Sequence, residues 1–188
     1  MESILRKEIV LDRVILRALA AVFFIIAISL GAFVRVPLPF TPVPLTMQTF
    51  FVLLSAALLG MRLGLFTQSA YIFLGFIGVP IFTGASAGLA YLVGPTAGYL
   101  LGFIVATIFI AAFIKRAKEN IFLIIGIFFL ADLLLLLCGA IWLKMSLNLT
   151  WIKSFFIGFI PFLPGDTAKV ILAASLFWKL KPRIKSIL

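Results

Sequence analysis

Asp166 and Lys169 are the side chains of this sequence best placed to do chemistry. They stand three residues apart at the end of Pro161-Phe-Leu-Pro-Gly-Asp-Thr-Ala-Lys169, an apolar stretch interrupted by two prolines and a glycine. At that spacing an acid and a base share one face of a helix. A charge at membrane depth is costly and turns toward a bundle interior or a water-lined cavity. Interrupted helices at that depth persist only where protein or a cavity covers the freed backbone groups. Such a pair suits a small solute: the carboxylate accepts from N–H donors, the ammonium donates to a carbonyl or carboxylate, and helix N-terminal amides attract an anion. The alternative for Asp166, less favoured than a ligand contact, is a simple N-cap after Pro164-Gly165. Lys169, a cation in a first helical turn, opposes the macrodipole and would not be placed there for stability; its alternative reading is half of an internal pair with Asp166. Asp132, another acid inside an apolar run, is either a ligand group or, the reading preferred here, a structural hydrogen bond to a neighbouring helix.

The elements that must hold these residues are membrane spans. The 188 residues are 64% hydrophobic and 12% charged, with a mean hydropathy of +1.30. Soluble domains carry about 25% charged residues. The apolar runs are near-continuous and do not alternate, so the expected fold is an all-α integral membrane protein rather than a barrel. The net charge of +10 does not mark a nucleic-acid binder, because the basic residues fill the gaps between apolar runs as topology signals do. Cys138 is the single cysteine and no histidine is present. An internal disulfide is therefore excluded, and with no histidine the commonest general base and metal ligand is missing; neither a metal nor a cofactor is expected. Cys138 itself is expected to be a small buried apolar residue. There is no Gly-x-x-x-x-Gly-Lys-Ser/Thr loop, no Gly-x-Ser-x-Gly elbow and no paired carboxylate cluster.

The chain is expected to form one domain, 1–188, with residues 1–17 as a short amphipathic helix on the cytoplasmic membrane surface. Six spans follow: Ala18–Val34, Leu45–Leu59, Leu65–Val79, Thr96–Ile114, Ile121–Leu143, and Asp166–Trp178 after an apolar piece Ser154–Ile160. The second is short for a crossing of about twenty residues. Arg35 to Pro44 contains four prolines and cannot be helical. Pro80 to Pro95 is uncharged and rich in glycine, a cap folding back over a cavity. Phe82, Tyr91 and Tyr99 flank that cap and are candidates for the pocket wall. Gly94, Gly98 and Gly102 have the four-residue spacing that lets a neighbouring helix approach closely. With six spans both termini share a side. That side holds Arg6, Lys7, Arg13, Arg17, Arg62, Lys115, Arg116, Lys118, Lys179, Lys181, Arg183 and Lys185, whereas Arg35, Lys144 and Lys153 lie opposite. The positive-inside rule makes both termini cytoplasmic and puts the Pro-rich loop, the cap and the Pro-Gly-Asp break on the outer face.

These segments resemble BioY, the substrate-binding S component of energy-coupling-factor biotin transporters. The resemblance rests on Val43-Pro-Leu-Thr-Met-Gln-Thr49, Gly60-Met-Arg-Leu-Gly64, Gly75-Phe-Ile-Gly-Val-Pro80, Gly94-Pro-Thr-Ala-Gly-Tyr99 with Gly102-Phe103, Asp132 with Gly139-Ala-Ile-Trp142, and Phe162-Leu-Pro-Gly-Asp-Thr-Ala-Lys169, in that order over nearly the whole chain. It implies a non-enzymatic multi-pass protein of the bacterial cytoplasmic membrane, in contact with lipid and not with nucleic acid. Biotin would be held near the outer face with Asp166 and Lys169 as ligand contacts. Two family positions differ: a polar amide of the cap falls at Ser86, and an arginine falls at Tyr99. Both can hydrogen-bond, but neither brings a charge for the valerate tail, which Lys169 or the helix amides remain free to take. The resemblance further implies capture followed by toppling of the subunit, driven by a transmembrane coupling subunit and two cytoplasmic ATPases. The coupling surface is expected on the first helix at small residues such as Ala18 and Ala21. A carrier of the same architecture for another vitamin-like solute, and a membrane enzyme using Asp166 and Lys169 on a lipid-borne substrate, are the alternatives.

Overall fold

The structure is a computed structural model that describes the backbone of residues 2–184 and the side chains of residues 14–182. The first helix, α1 (Glu2–Phe33), is continuous over 32 residues. No break separates residues 2–17 from the span that follows, so a distinct surface helix is not seen; the amphipathic face expected of residues 1–13 lies outside the described side chains. After α1 the four prolines force extended chain, as expected, and its ends pair as two short antiparallel strands, β1 (Arg35–Val36) and β2 (Leu45–Thr46), with Arg35 opposite Thr46.

Helix α2 (Gln48–Phe76) is interrupted at Gly60, which has φ 72° and ψ −169°. A residue with a Cβ rarely adopts that backbone, and the chain reverses there. Two hydrogen bonds prove the reversal. Gln68 Nε2 donates to Ser55 Oγ at 2.9 Å and Gln48 Nε2 to Tyr71 Oη at 2.7 Å. In a straight helix, residues so far apart in sequence would lie about 20 and 35 Å from each other. Residues 48–59 and 61–76 are thus two antiparallel arms. In the first arm Val52 to Ala57 are buried, whereas Phe50, Phe51, Leu58 and Leu59 are half-buried.

The cap contains a one-pair bridge between Phe82 and Ser86 and the single turn α3 (Leu89–Leu92). Then come α4 (Ala97–Phe113), α5 (Ile121–Ser146), α6 (Trp151–Gly158) and α7 (Leu163–Ile184). Helix α4 packs most extensively on α5 and on α2. A Cβ at Gly98 would fall 2.6 Å from the Cys138 carbonyl oxygen and one at Gly102 2.8 Å from that of Leu135. Those two glycines therefore set the α4–α5 distance, whereas Gly94 lies in the turn before α4 and accepts from Trp142 Nε1 at 2.9 Å. Cys138 is half-buried on this seam rather than enclosed.

Five helices are long and apolar enough to cross a membrane by length and composition: 14–33, 48–76, 97–117, 121–146 and 151–182. Their outer faces expose Leu19, Phe23, Leu30, Phe122, Ile152 and Phe156, a belt suited to lipid and not to water. At one end of the bundle Trp178 Nε1 donates to the Glu119 carbonyl oxygen and Lys181 Nζ to that of Lys118, so the end of α7 is tied to the α4–α5 connection. The β1–β2 hairpin, the cap and the α6–α7 junction gather at the other end.

Candidate functional site

Pro161 and Pro164 initiate helix rather than end it. Pro161 lies in a single 3-10 turn, and Pro164 is the second residue of α7, where no backbone N–H is needed. Asp166 is therefore inside the first turn of α7 and not its N-cap. Its carboxylate is engaged from the side: Lys169 Nζ lies 2.5 Å from Oδ1, and Thr49 Oγ1 of the first α2 arm donates to the same oxygen at 3.3 Å. Asp166 is 1% exposed and Lys169 6%. A charge pair so enclosed is held by mutual attraction and hydrogen bonds, and either partner alone would be a bare buried charge.

The pair forms part of the wall of a cavity of about 50 Å³. Tyr91 and Tyr99 also line it, as do Thr46, Gln48, Thr49 and Thr83, with Leu100, Phe103, Leu135 and Phe162 among its apolar residues. The site is thus half a polar corner and half a greasy slot, apt for a small heterocycle with a few fixed polar atoms. Among the described residues no group of three or more His, Cys, Asp or Glu is placed to hold a metal.

Gln48 is the hub that joins the cavity to the cap. Its Oε1 accepts from Thr83 Oγ1 at 3.1 Å and from Thr46 Oγ1 at 3.3 Å, and its Nε2 donates to Tyr71 Oη. Tyr71 in turn donates to the Ile81 carbonyl oxygen at 3.1 Å. Sequence reasoning did not assign Gln48, Thr49 or Thr83 to the site. The available signal was uncharged polar residues at the mouth of an apolar span, each of which needs a partner when buried.

The other expected residues divide. Tyr99 reaches the wall with its ring, but its hydroxyl donates to the Gly158 carbonyl oxygen at 2.6 Å, bracing α4 on α6. Phe82 stands behind the wall: it is fully buried, stacks on Tyr91 at 4.6 Å, and presses on Gly75, where a Cβ would lie 2.0 Å from its ring. Ser86 is also off the wall, because the tight turn at Gly84 and Ala85 (φ 77° and 58°) directs its carbonyl oxygen back to the Phe82 N–H. Asp132 lies one turn before Leu135 and is 1% exposed, yet its Oδ1 has no hydrogen-bond partner among the described residues. The interhelical bond preferred for it is not present. On α1, Ala18 is exposed whereas Ala21 is buried in the bundle, so the two do not offer one outward surface.

The family model described as "BioY family" matches residues 6–186. A probable biotin transporter BioY from Pyrococcus horikoshii is 36% identical over 150 residues, covering 80% of this chain and 86% of the relative. A biotin transporter BioY from Thermotoga maritima is 36% identical over 160 residues, covering 84% and 91%. Among solved structures, the S-component for biotin from an ECF-type ABC transporter aligns with a TM-score of 0.83 at 28% identity, covering 88% of this chain and 90% of that one. With the match extending over almost its entire length, the chain belongs to the BioY family.

Proposed function

We propose that this chain is the biotin-capturing subunit of an energy-coupling-factor transporter, a membrane protein that binds and delivers its solute without transforming it. The observation that carries this reading is the buried Asp166–Lys169 pair on the wall of a cavity, in a chain whose relatives are biotin transporters. A ureido ring presents two N–H groups and one carbonyl. Asp166 accepts from an N–H, Lys169 donates to the carbonyl, and Thr49 holds the carboxylate in place. The thioether ring lies against Leu100, Phe103 and Leu135. Sites that enclose small ligands span about 300–1,000 Å³, so the 50 Å³ cavity must expand on binding. The cap and the β1–β2 hairpin, joined through Gln48, are the parts that yield.

Counting the two arms of α2 separately turns five long helices into six crossings. Both termini are then cytoplasmic, in keeping with Arg62, Lys115, Arg116, Lys118, Lys179 and Lys181 at that end. The cavity opens to the outer face of the cytoplasmic membrane, as uptake requires. Release inward is driven by a transmembrane coupling subunit and cytoplasmic ATPases; the support is the likeness to an S-component of an ECF-type ABC transporter. Exposed Ala18 on α1 is a candidate contact for the coupling subunit.

The test is equilibrium binding of labelled biotin to the purified, detergent-solubilised protein beside Asp166→Asn and Lys169→Ala. Binding by the parent and its loss in both folded variants is expected. A well-folded parent that ignores biotin but binds another vitamin from a panel overturns the ligand assignment. Binding that survives both substitutions moves the site elsewhere.

A further inference from the structure

The cavity as built has no free cation for an acidic ligand tail. Lys169 is paired with Asp166 at 2.5 Å, and that pair is neutral overall, so a ligand carboxylate beside it would face the Asp166 carboxylate. The Tyr99 hydroxyl proton is committed to Gly158, and Ser86 is off the wall. The tail must therefore find its charge toward the cap, where one arginine waits. Arg35 stands opposite Thr46 in the β1–β2 hairpin, and Thr46 lines the cavity. Its guanidinium crosses to the cap loop: a Cβ at Gly84 would lie 2.6 Å from Arg35 Nη1. Gly84 follows Thr83, another wall residue. Arg35 thus bridges the two segments that roof the cavity, paired with lining Thr46 on one and beside Gly84, next to lining Thr83, on the other. It is exposed, and among the described residues no carboxylate is paired with it. Lys144, another basic residue of this end, is occupied over the Trp151 ring at 4.8 Å.

We propose that Arg35 is the carboxylate-recognition residue of the site: the ligand lies with its ring at Asp166 and Lys169 and its acidic tail under Arg35, which thereby closes hairpin and cap over it. A guanidinium offers the planar two-donor fork that a carboxylate accepts. This rests on the biotin reading given above. The position also selects among ligands, because a neutral tail gains nothing from it.

The experiment measures binding of biotin and of biotin amide, which keeps the ring and lacks the charge, to the parent, Arg35→Ala and Arg35→Lys. The parent should prefer biotin by about tenfold or more, the range of a charge-assisted hydrogen bond. Arg35→Ala should remove that preference by weakening biotin alone, and Arg35→Lys should restore part of it. The preference in the parent should shrink as salt rises, since the contact is near solvent. Equal weakening of both ligands in Arg35→Ala, or no change in either, overturns the assignment and leaves Arg35 as a brace for the cap. A parent that binds neither ligand overturns the biotin reading itself, and the role of Arg35 falls with it.

Discussion

At the scale of single residues, the Asp166–Lys169 pair determines both stability and function, and the two are separable. Lys169→Ala leaves a bare carboxylate that is 1% exposed, which is expected to destabilise the fold by about 3 kcal/mol. The double variant Asp166→Leu, Lys169→Met removes both charges and should recover most of that loss while binding no biotin. Thermal unfolding in detergent, run beside ligand binding, checks both halves. Thr49→Val removes one hydrogen bond to buried Asp166; it should lower the stability of the fold by about 1 kcal/mol and weaken biotin binding as well. Asp166 and Lys169 were legible in the sequence because a charge in an apolar run demands a reason. Gln48, Thr49 and Thr83 were not, because an uncharged polar residue at the end of a span looks the same whether it meets water or a partner. The positions of Phe82 and Ser86 depend on two consecutive residues of positive φ, Gly84 and Ala85, and alanine gives no warning of such a turn.

At the scale of elements, glycine sets the spacing and the reversals. Gly60→Ala would meet no atom within 4 Å, so its whole cost is conformational, about 1–3 kcal/mol for that backbone region. Gly98→Ala fails for the opposite reason: its Cβ would fall 2.2 Å from that of Trp142, and overpacking of this kind costs typically about 1–3 kcal/mol. Gly126→Ala, within α5, has nothing within 4 Å and should be neutral or slightly stabilising. A ranking of unfolding temperatures with Gly126→Ala at or above the parent and the other two below it is expected. The reversal near Gly60 was readable because Arg62 cannot sit inside a span. The role of Pro164 was not: the same residue type ends a helix from within and begins one from its first turn, and only the neighbours of Leu163 decide which.

At the scale of the molecule, the apolar belt and the two unlike ends predict how the chain sits in a bilayer. In a Cys138→Ser background, a membrane-impermeant maleimide should label Asn148→Cys on intact cells. It should label Glu119→Cys only after the membrane is opened. Both positions are exposed, so accessibility in the protein does not confound the comparison. The reverse pattern would turn the cavity toward the cytoplasm and rule out capture from outside.

The folded-back helix α2 also bears on how the protein is made. The Gln48 amide N–H donates to Tyr71 and Ser55 Oγ accepts from Gln68, both on the other arm. Emerging alone into hydrocarbon, the first arm would carry the Gln48 amide N–H without its partner, at a cost of several kcal/mol, whereas Ser55 keeps its bond to the Val52 carbonyl oxygen. The ribosome must therefore supply residues 61–76 before residues 48–59 can settle, and the two arms enter the membrane as one hairpin. A nascent chain halted after residue 59 should remain extractable at that segment, whereas one halted after residue 76 should resist extraction.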